Sequence, residues 1–178
     1  MHRGLALLAL TASTAFAQLS GPPDPFRGDF DERRWEEQQA ELPAYPKPEN
    51  LARFYASATS SFEFFVDTSS INVGNDGVVR YSLIARSPSG VLNVSYEGIR
   101  CSSRERKLYA FGRPDNTWSK ARKSEWGPIV GTQTNRHHAT LADDFFCPKR
   151  GAVRSAQEAG DALRRGGELN ANPGREVQ

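Results

Sequence analysis

The sequence has few of the features that indicate a reaction by motif. Its 178 residues contain only two cysteines and no CxxC, so thiolates alone cannot form a zinc site. The GxSxG turn, the GxxxxGK[ST] loop and the GxGxxG fingerprint are all missing, although convergent sites need no motif. The formal net charge of +2 indicates no class of partner for the whole chain.

The first apolar run is too short to span a bilayer comfortably, and it is typical of a secretory signal. Arg3 supplies a positive start, Leu5–Leu10 form the apolar run, and Ala15-Phe16-Ala17 fits the small-x-small cleavage rule. A buried helix would need an amphipathic pattern, which is missing here. We expect cleavage after Ala17 and a periplasmic protein; with no cysteine near that site, we expect no lipid anchor.

Export changes the interpretation of the two cysteines. Cys101 and Cys147 form one even pair in an oxidising compartment, which favours a disulfide. In the chain-entropy view, a bridge closing a loop of this size stabilises the fold by roughly 4 kcal/mol. Two free buried thiols are the alternative.

The centre of the chain predicts an antiparallel meander. Val79–Ala85 and Leu92–Glu97 each alternate apolar with polar residues, and Ser87-Pro88-Ser89-Gly90 between them has the composition of a turn. Gly98 interrupts the alternation, so we expect a bulge or bend there. Lys107–Phe111 reads as the third strand. Such a sheet can bury one face and expose the other to water.

The whole chain predicts a single α+β domain. We expect a mainly antiparallel sheet of about five or six strands, a short helix after the sheet within Thr134–Phe146, and a C-terminal helix. A capping box at Ser155-Ala156-Gln157-Glu158 opens that last helix, which ends near Arg165. The expected divisions are a signal peptide over residues 1–17, an extended, Pro-rich, acidic arm over 18–48, the domain over 49–165 and a disordered tail over 166–178.

One cluster carries catalytic residue types: His137 and His138 with Asp143 and Asp144. On a helix, positions seven apart share a face, so a metal site or an acid–base pair could be built from them. The alternative is a polar helix face, because adjacent histidines point in different directions and no third ligand has a recognisable spacing.

Charge is distributed unevenly along the chain. Residues 29–49 carry seven acids against three bases, and residues 100–123 carry eight bases against two acids. The candidate anion-binding residues are Arg100, Arg104, Arg106, Lys107 and Arg113. The alternatives are a solvated face or one covered by the chain's own acidic arm. We expect Trp35 and Tyr45 to dock the arm, with charge selecting the face that it covers.

Several segments occur in an order that resembles a known family. They are Trp35-Glu36-Glu37, Leu42-Pro43, Tyr45-Pro46, Asn50-Leu51, Phe65-Val66-Asp67, Gly77-Val78-Val79-Arg80-Tyr81, Arg86-Ser87-Pro88-Ser89-Gly90, Glu97-Gly98-Ile99-Arg100-Cys101, Lys107-Leu108-Tyr109-Ala110-Phe111-Gly112, Trp118, Trp126 and Phe146-Cys147-Pro148. Over about 31–165 the chain resembles the cryptic neisserial protein family of exported, mostly proteobacterial proteins. The resemblance implies a periplasmic or envelope protein and implies no activity.

A looser likeness concerns architecture alone. Val66-Asp67, Ser69-Ser70-Ile71, Trp126-Gly127-Pro128-Ile129 and the two cysteines resemble surface-adhesin protein E type domains. The likeness implies a small antiparallel sheet with helices and the Cys101–Cys147 bridge, and adhesion only weakly, because a fold does not determine a function.

The sequence thus favours a non-catalytic binding or scaffolding module of the cell envelope. The alternative is a periplasmic hydrolase using His137 or His138 with Asp143 or Asp144. We expect no cofactor, no metal, no nucleic acid and no transmembrane segment. The partner is undetermined; an anionic envelope component or another envelope protein would fit.

Overall fold

A computed structural model describes residues 35–132 and 135–166. The chain forms one antiparallel sheet in the order β1-β2-β3-β4-β5-β6, with β7 paired to β5 beside β6. The strands are β1 (Leu51–Phe54), β2 (Glu63–Val73), β3 (Val78–Arg86), β4 (Leu92–Arg100), β5 (Glu105–Gly112), β6 (Trp118–Lys120) and β7 (Gly127–Pro128). The α+β class with a mainly antiparallel sheet is confirmed; the two shortest strands, β6 and β7, bring the count to seven.

The helices follow the sheet, as the sequence predicts. Helix α1 (Arg136–Thr140) continues into a π-helical turn (Leu141–Phe146), and α2 (Ala156–Arg164) comes last. A short 3₁₀ turn, Pro48–Asn50, precedes β1, and another, Pro148–Arg150, follows the π turn. The predicted cap is present, because the Ser155 hydroxyl accepts a hydrogen bond from the Glu158 N–H at 3.1 Å.

One face of the sheet packs against these helices through an apolar core. Tyr81 lies against Phe146 with ring centroids 5.0 Å apart, and Phe54 meets Phe145 edge-on at 5.8 Å. Cys101 and Cys147 are joined by a disulfide that ties the corner after β4 to the end of the π turn. The predicted bridge is confirmed, and it fixes the helical layer to the sheet.

The opposite face is also buried, which differs from the expected wet face. The seven residues from Val78 to Ile84 of β3 are all buried, including Arg80 and Ser82. Pairing explains this result: Tyr81 lies opposite Glu97, so the apolar set of β3 and the apolar set of β4 point to opposite faces. Val94 and Tyr96 are therefore buried on the face away from the helices.

The polar stretch after Asp67 forms a wide bulge instead of ending the strand. Residues 68–71 of β2 lie opposite the single residue Tyr81, because Asp67 pairs with Ser82 and Asn72 pairs with Arg80. Ser69 donates to the Asp67 carboxylate from its N–H at 2.9 Å and from its hydroxyl at 2.6 Å. A second bulge puts Tyr109 of β5 next to Gly98, where a Cβ would lie 2.8 Å from the tyrosine oxygen.

Candidate functional site

The helical face contains a buried histidine–carboxylate pair. His138 Nε2 lies 2.7 Å from Glu97 Oε2, and the two side chains are 5% and 6% exposed. The other Glu97 oxygen accepts a hydrogen bond from the Ser95 hydroxyl at 2.7 Å, and the Tyr81 hydroxyl lies 3.4 Å from Oε2. His138 Nδ1 is buried without a hydrogen-bond partner among the described residues. The pair is therefore closed to solvent.

Hydrogen-bond partners stabilise the ionised form of the Glu97 carboxylate. Burial alone would raise the pKa of Glu97, but the charge and hydrogen bond of His138, with the bond from Ser95, lower that pKa to about 2. Glu97 is therefore ionised throughout the physiological range. A buried, ionised carboxylate that is hydrogen-bonded to an imidazole has a structural role unless a substrate can reach it.

His137 occupies a different environment from its neighbour. Its ring stacks on Phe64 with centroids 4.5 Å apart and planes 11° apart. Burial and the adjacent His138 charge lower the pKa of His137 to about 4. The imidazole is thus neutral at pH 7 and behaves as a flat, largely apolar ring.

An open groove lies beside His137. It has a volume of about 380 Å³ and lies between the loop after β1 and the start of α1. The lining residues are Ala56, Thr59, Ser60, Ser61, Phe62, Phe64, Ala85, Arg136 and His137. Its volume falls within the range of about 300–1,000 Å³ that is typical of small-molecule sites, toward the lower end.

Three of the four predicted catalytic residues, His137, His138 and Asp143, have different main partners in the structure. His138 contacts Glu97 in the core, and His137 faces the groove. The Asp143 carboxylate pairs with the Arg104 guanidinium, and Asp144 is exposed. Among residues 35–132 and 135–166, no group of three or more His, Cys, Asp or Glu side chains is arranged to hold a metal ion.

The predicted anion-binding residues already have carboxylate neighbours in several cases. Arg100 pairs with Glu105, Arg104 with Asp143, and Lys107 with Glu37 of the arm. The Arg113 guanidinium lies 3.4 Å from the Ser119 hydroxyl, and Arg106 is partly buried on β5. Binding of an external anion by this set stays a prediction.

The arm docks on the face away from the helices, through the rings named from the sequence. The Trp35 indole N–H donates to the Asp76 carbonyl at 2.8 Å, and the ring meets Trp126 edge-on at 5.8 Å. Tyr45 packs against Trp118 with centroids 5.3 Å apart, and its hydroxyl donates to the Arg113 carbonyl at 3.1 Å. Gln18–Arg34 of the expected arm lie outside the described residues.

Glu37 has the most side-chain hydrogen-bond partners among the described residues of the arm, 35–48. Its carboxylate accepts hydrogen bonds from Lys107 Nζ at 2.7 Å, the Tyr109 hydroxyl at 2.9 Å and the Trp126 indole at 3.1 Å. Burial would raise the pKa of Glu37, but these three donors together lower it. Glu37 therefore covers part of the basic segment as an ionised group.

A buried ion pair supports the arm from below. The Arg80 guanidinium lies 2.6 Å from the Asp76 carboxylate, with side chains 3% and 1% exposed. Gln38 joins both: its carbonyl accepts from Arg80 at 2.8 Å, and its N–H donates to Asp76 at 2.9 Å. The arm backbone thus adds two hydrogen bonds to a pair that would otherwise lie on an open sheet face.

Residues 30–164 match the sequence profile of the CNP1-like family. The chain belongs to the CNP1-like family. It is 28% identical to Cryptic neisserial protein 1 of Neisseria gonorrhoeae (strain ATCC 700825 / FA 1090), over 72% of this chain and 74% of that protein. No solved structure matches the chain. The family resemblance expected from the sequence is confirmed, and neither name states an activity.

Two features of this CNP1-like chain were missed by sequence reasoning. The alternation over Leu92–Glu97 puts Glu97 on the polar side of the strand, which we expected to be exposed, and the sequence indicates no role for Arg80. One pattern in the sequence could have revealed the burial of Glu97: pairing Val79 of β3 with Ile99 of β4 puts Glu97 opposite the apolar Tyr81.

Within residues 35–132 and 135–166, none of the helices is both long and apolar enough to cross a membrane.

Proposed function

We propose that this CNP1-like protein is an exported, periplasmic, non-catalytic binding module. Its N-terminal Arg3, its apolar run and Ala15-Phe16-Ala17 support export. The Cys101–Cys147 disulfide supports an oxidising compartment, because such bridges persist outside the cytosol.

The burial of the imidazole–carboxylate pair is the observation that most supports binding over hydrolysis. A general base must lie within hydrogen-bond reach of the substrate proton that it removes. His138 is 4% exposed and already hydrogen-bonded to Glu97, so its role is in the packing of the core. The groove beside His137 is open and offers a neutral ring wall, which suits a bound ligand.

Export is tested by cell fractionation and N-terminal sequencing. The full chain, produced in a Gram-negative host, should be recovered from the periplasm with Gln18 as its first residue. An intact Met1 in the cytoplasmic fraction would overturn the assignment to the periplasm.

Binding is tested by thermal unfolding of the mature protein with size-fractionated periplasmic small molecules. A ligand that binds the folded state raises the midpoint of unfolding, Tm. We expect at least one fraction to raise the Tm of the wild type and to have less effect on Phe62→Glu, a change at a 40% exposed position. Consumption of the active component during incubation would indicate catalysis instead.

A further inference from the structure

One side of the groove beside His137 is formed by the loop after β1, which is stabilised by hydrogen bonds between its own residues. In this loop the Ser57 and Thr59 hydroxyls lie 2.8 Å apart, and the Thr59 N–H donates to Ser57 Oγ at 3.1 Å. The Phe62 N–H donates to Ser60 Oγ at 3.2 Å. A rim held by its own hydrogen bonds loses little freedom when a ligand enters, which favours binding.

Aromatic rings form one wall of this groove. Phe64 lies between two other rings, 4.5 Å from His137 and 6.4 Å from Phe62 by centroid distance. The Phe62–Phe64 planes differ by 28°, and Phe62 is 40% exposed. The exposed Phe62 ring, supported by the buried Phe64, therefore offers a stacking surface for another flat ring.

One charge stands at the groove, and it is positive. Among the described residues that line the groove, Arg136 is the only side chain charged at pH 7, because His137 is neutral there. Within the described part of the chain, no carboxylate lies within ion-pair distance of Arg136. Glu63, which follows Phe62 in the sequence, pairs with Arg53 and Arg86. The guanidinium is thus available for a ligand.

We propose that this groove binds a small ligand with a flat aromatic body and one carboxylate. The body would stack on the exposed Phe62 ring, which Phe64 supports from behind, and the carboxylate would pair with Arg136, whose planar fork suits carboxylate geometry. This assignment rests on the proposed binding function and specifies its ligand class.

The probe is 2-naphthoate, compared with the uncharged 2-naphthamide, in calorimetric titrations of the mature, disulfide-bonded protein. We expect 2-naphthoate to bind more tightly than 2-naphthamide. Arg136→Gln should weaken naphthoate binding by about tenfold, the factor for one charge-assisted hydrogen bond of about 1.4 kcal/mol, and should leave naphthamide binding nearly unchanged. Phe62→Ala should weaken the binding of both ligands.

Arg122→Gln is the matched control, because Arg122 is an exposed arginine outside the groove. It should bind naphthoate like the wild type. If neither Arg136→Gln nor Phe62→Ala changes the affinity for naphthoate, the binding is adventitious only, and the proposed site is wrong. The absence of millimolar binding by either probe would overturn the ligand class. The proposed binding function would survive if a periplasmic fraction still raised Tm.

Discussion

The two faces of the sheet are covered by different kinds of chain. The helical face is mostly apolar, is tied by a disulfide and is covered by α1, the π-helical turn and α2. The other face is covered by residues 35–48, which contain no helix or strand until Pro48 and dock by rings and hydrogen bonds. The first cover derives stability from apolar burial, and the second from a few specific anchors.

Each face contains one buried pair of hydrogen-bonded polar side chains, and the two pairs also differ. Glu97 and His138 are both supplied by regular elements of the folded domain, β4 and α1. Arg80 and Asp76 each form a hydrogen bond with the Gln38 backbone, which belongs to the arm. Loosening the arm should therefore expose one pair to water and leave the other sealed.

The largest expected effect comes from the helical pair. Glu97→Ala leaves His138 buried without its partner and should lower the free energy of unfolding by about 3–5 kcal/mol. Urea unfolding of the variant measures the loss. The double variant Glu97→Leu/His138→Leu should lose much less, because no buried charge is left unpaired. Equal or additive losses would show that the two side chains do not act as a pair.

The disulfide gives the next effect. Cys101→Ala/Cys147→Ala opens a loop of sequence separation 46 and should lower the free energy of unfolding by about 4 kcal/mol. Amide exchange should rise over α1 and the π turn before it rises over the arm, because the bridge joins the helical face. If the arm loosens first, the two covers are not independent.

A smaller effect should follow pH. The pKa of His137 is about 4 in the folded chain against 6.5 as its ordinary value, so the unfolded chain binds more protons between these values. The contribution is fully present above pH 6.5 and is lost as the pH falls toward 4, on the order of 1–3 kcal/mol. Glu97 acts in the same direction at lower pH, between 4.5 and about 2.

Urea midpoints between pH 7.5 and 4 measure this dependence. His137→Phe keeps a ring on Phe64 and removes the titrating group, so its stability should fall less steeply between pH 6.5 and 4 than that of the wild type. If the stability of the two proteins falls equally steeply over this pH range, His137 does not cause the pH dependence.

The sequence predicted what depends on local patterns. The hairpin of β3 and β4 follows from alternation around Ser87-Pro88-Ser89-Gly90, and α2 begins at the predicted cap, Ser155. The bridge followed from an even cysteine count. Each of these needs only neighbouring residues or a pairing with no competitor.

What the sequence missed depends on distant pairing. Glu97 meets a histidine 41 positions away, and only the β3–β4 register turns it toward the helices. Arg80 is buried because Gln38, 42 positions before it, lies over the sheet. The groove beside His137 likewise joins the loop after β1 to the start of α1. Alternation within one strand cannot reveal which neighbour will cover it.

The central claim is that the arm is a separately anchored cover, held chiefly by its aromatic residues. Trp35→Ala removes the indole that bonds Asp76, packs on Trp126 and lies under Arg100 at 4.2 Å. The loss should be about 1–2 kcal/mol, confined largely to the arm. Glu36→Lys is the matched control, because Glu36 is exposed beside Trp35 and belongs to the same acidic stretch.

Native-state amide exchange across residues 35–50 and β3 tests this claim most directly. In the wild type the arm should exchange more slowly than an unstructured chain but faster than β3. Trp35→Ala should speed arm exchange by about tenfold and leave β3 unchanged, while Glu36→Lys should have little effect. Arm exchange at unstructured rates in wild type and variant alike, or equal acceleration of arm and β3, would contradict the account.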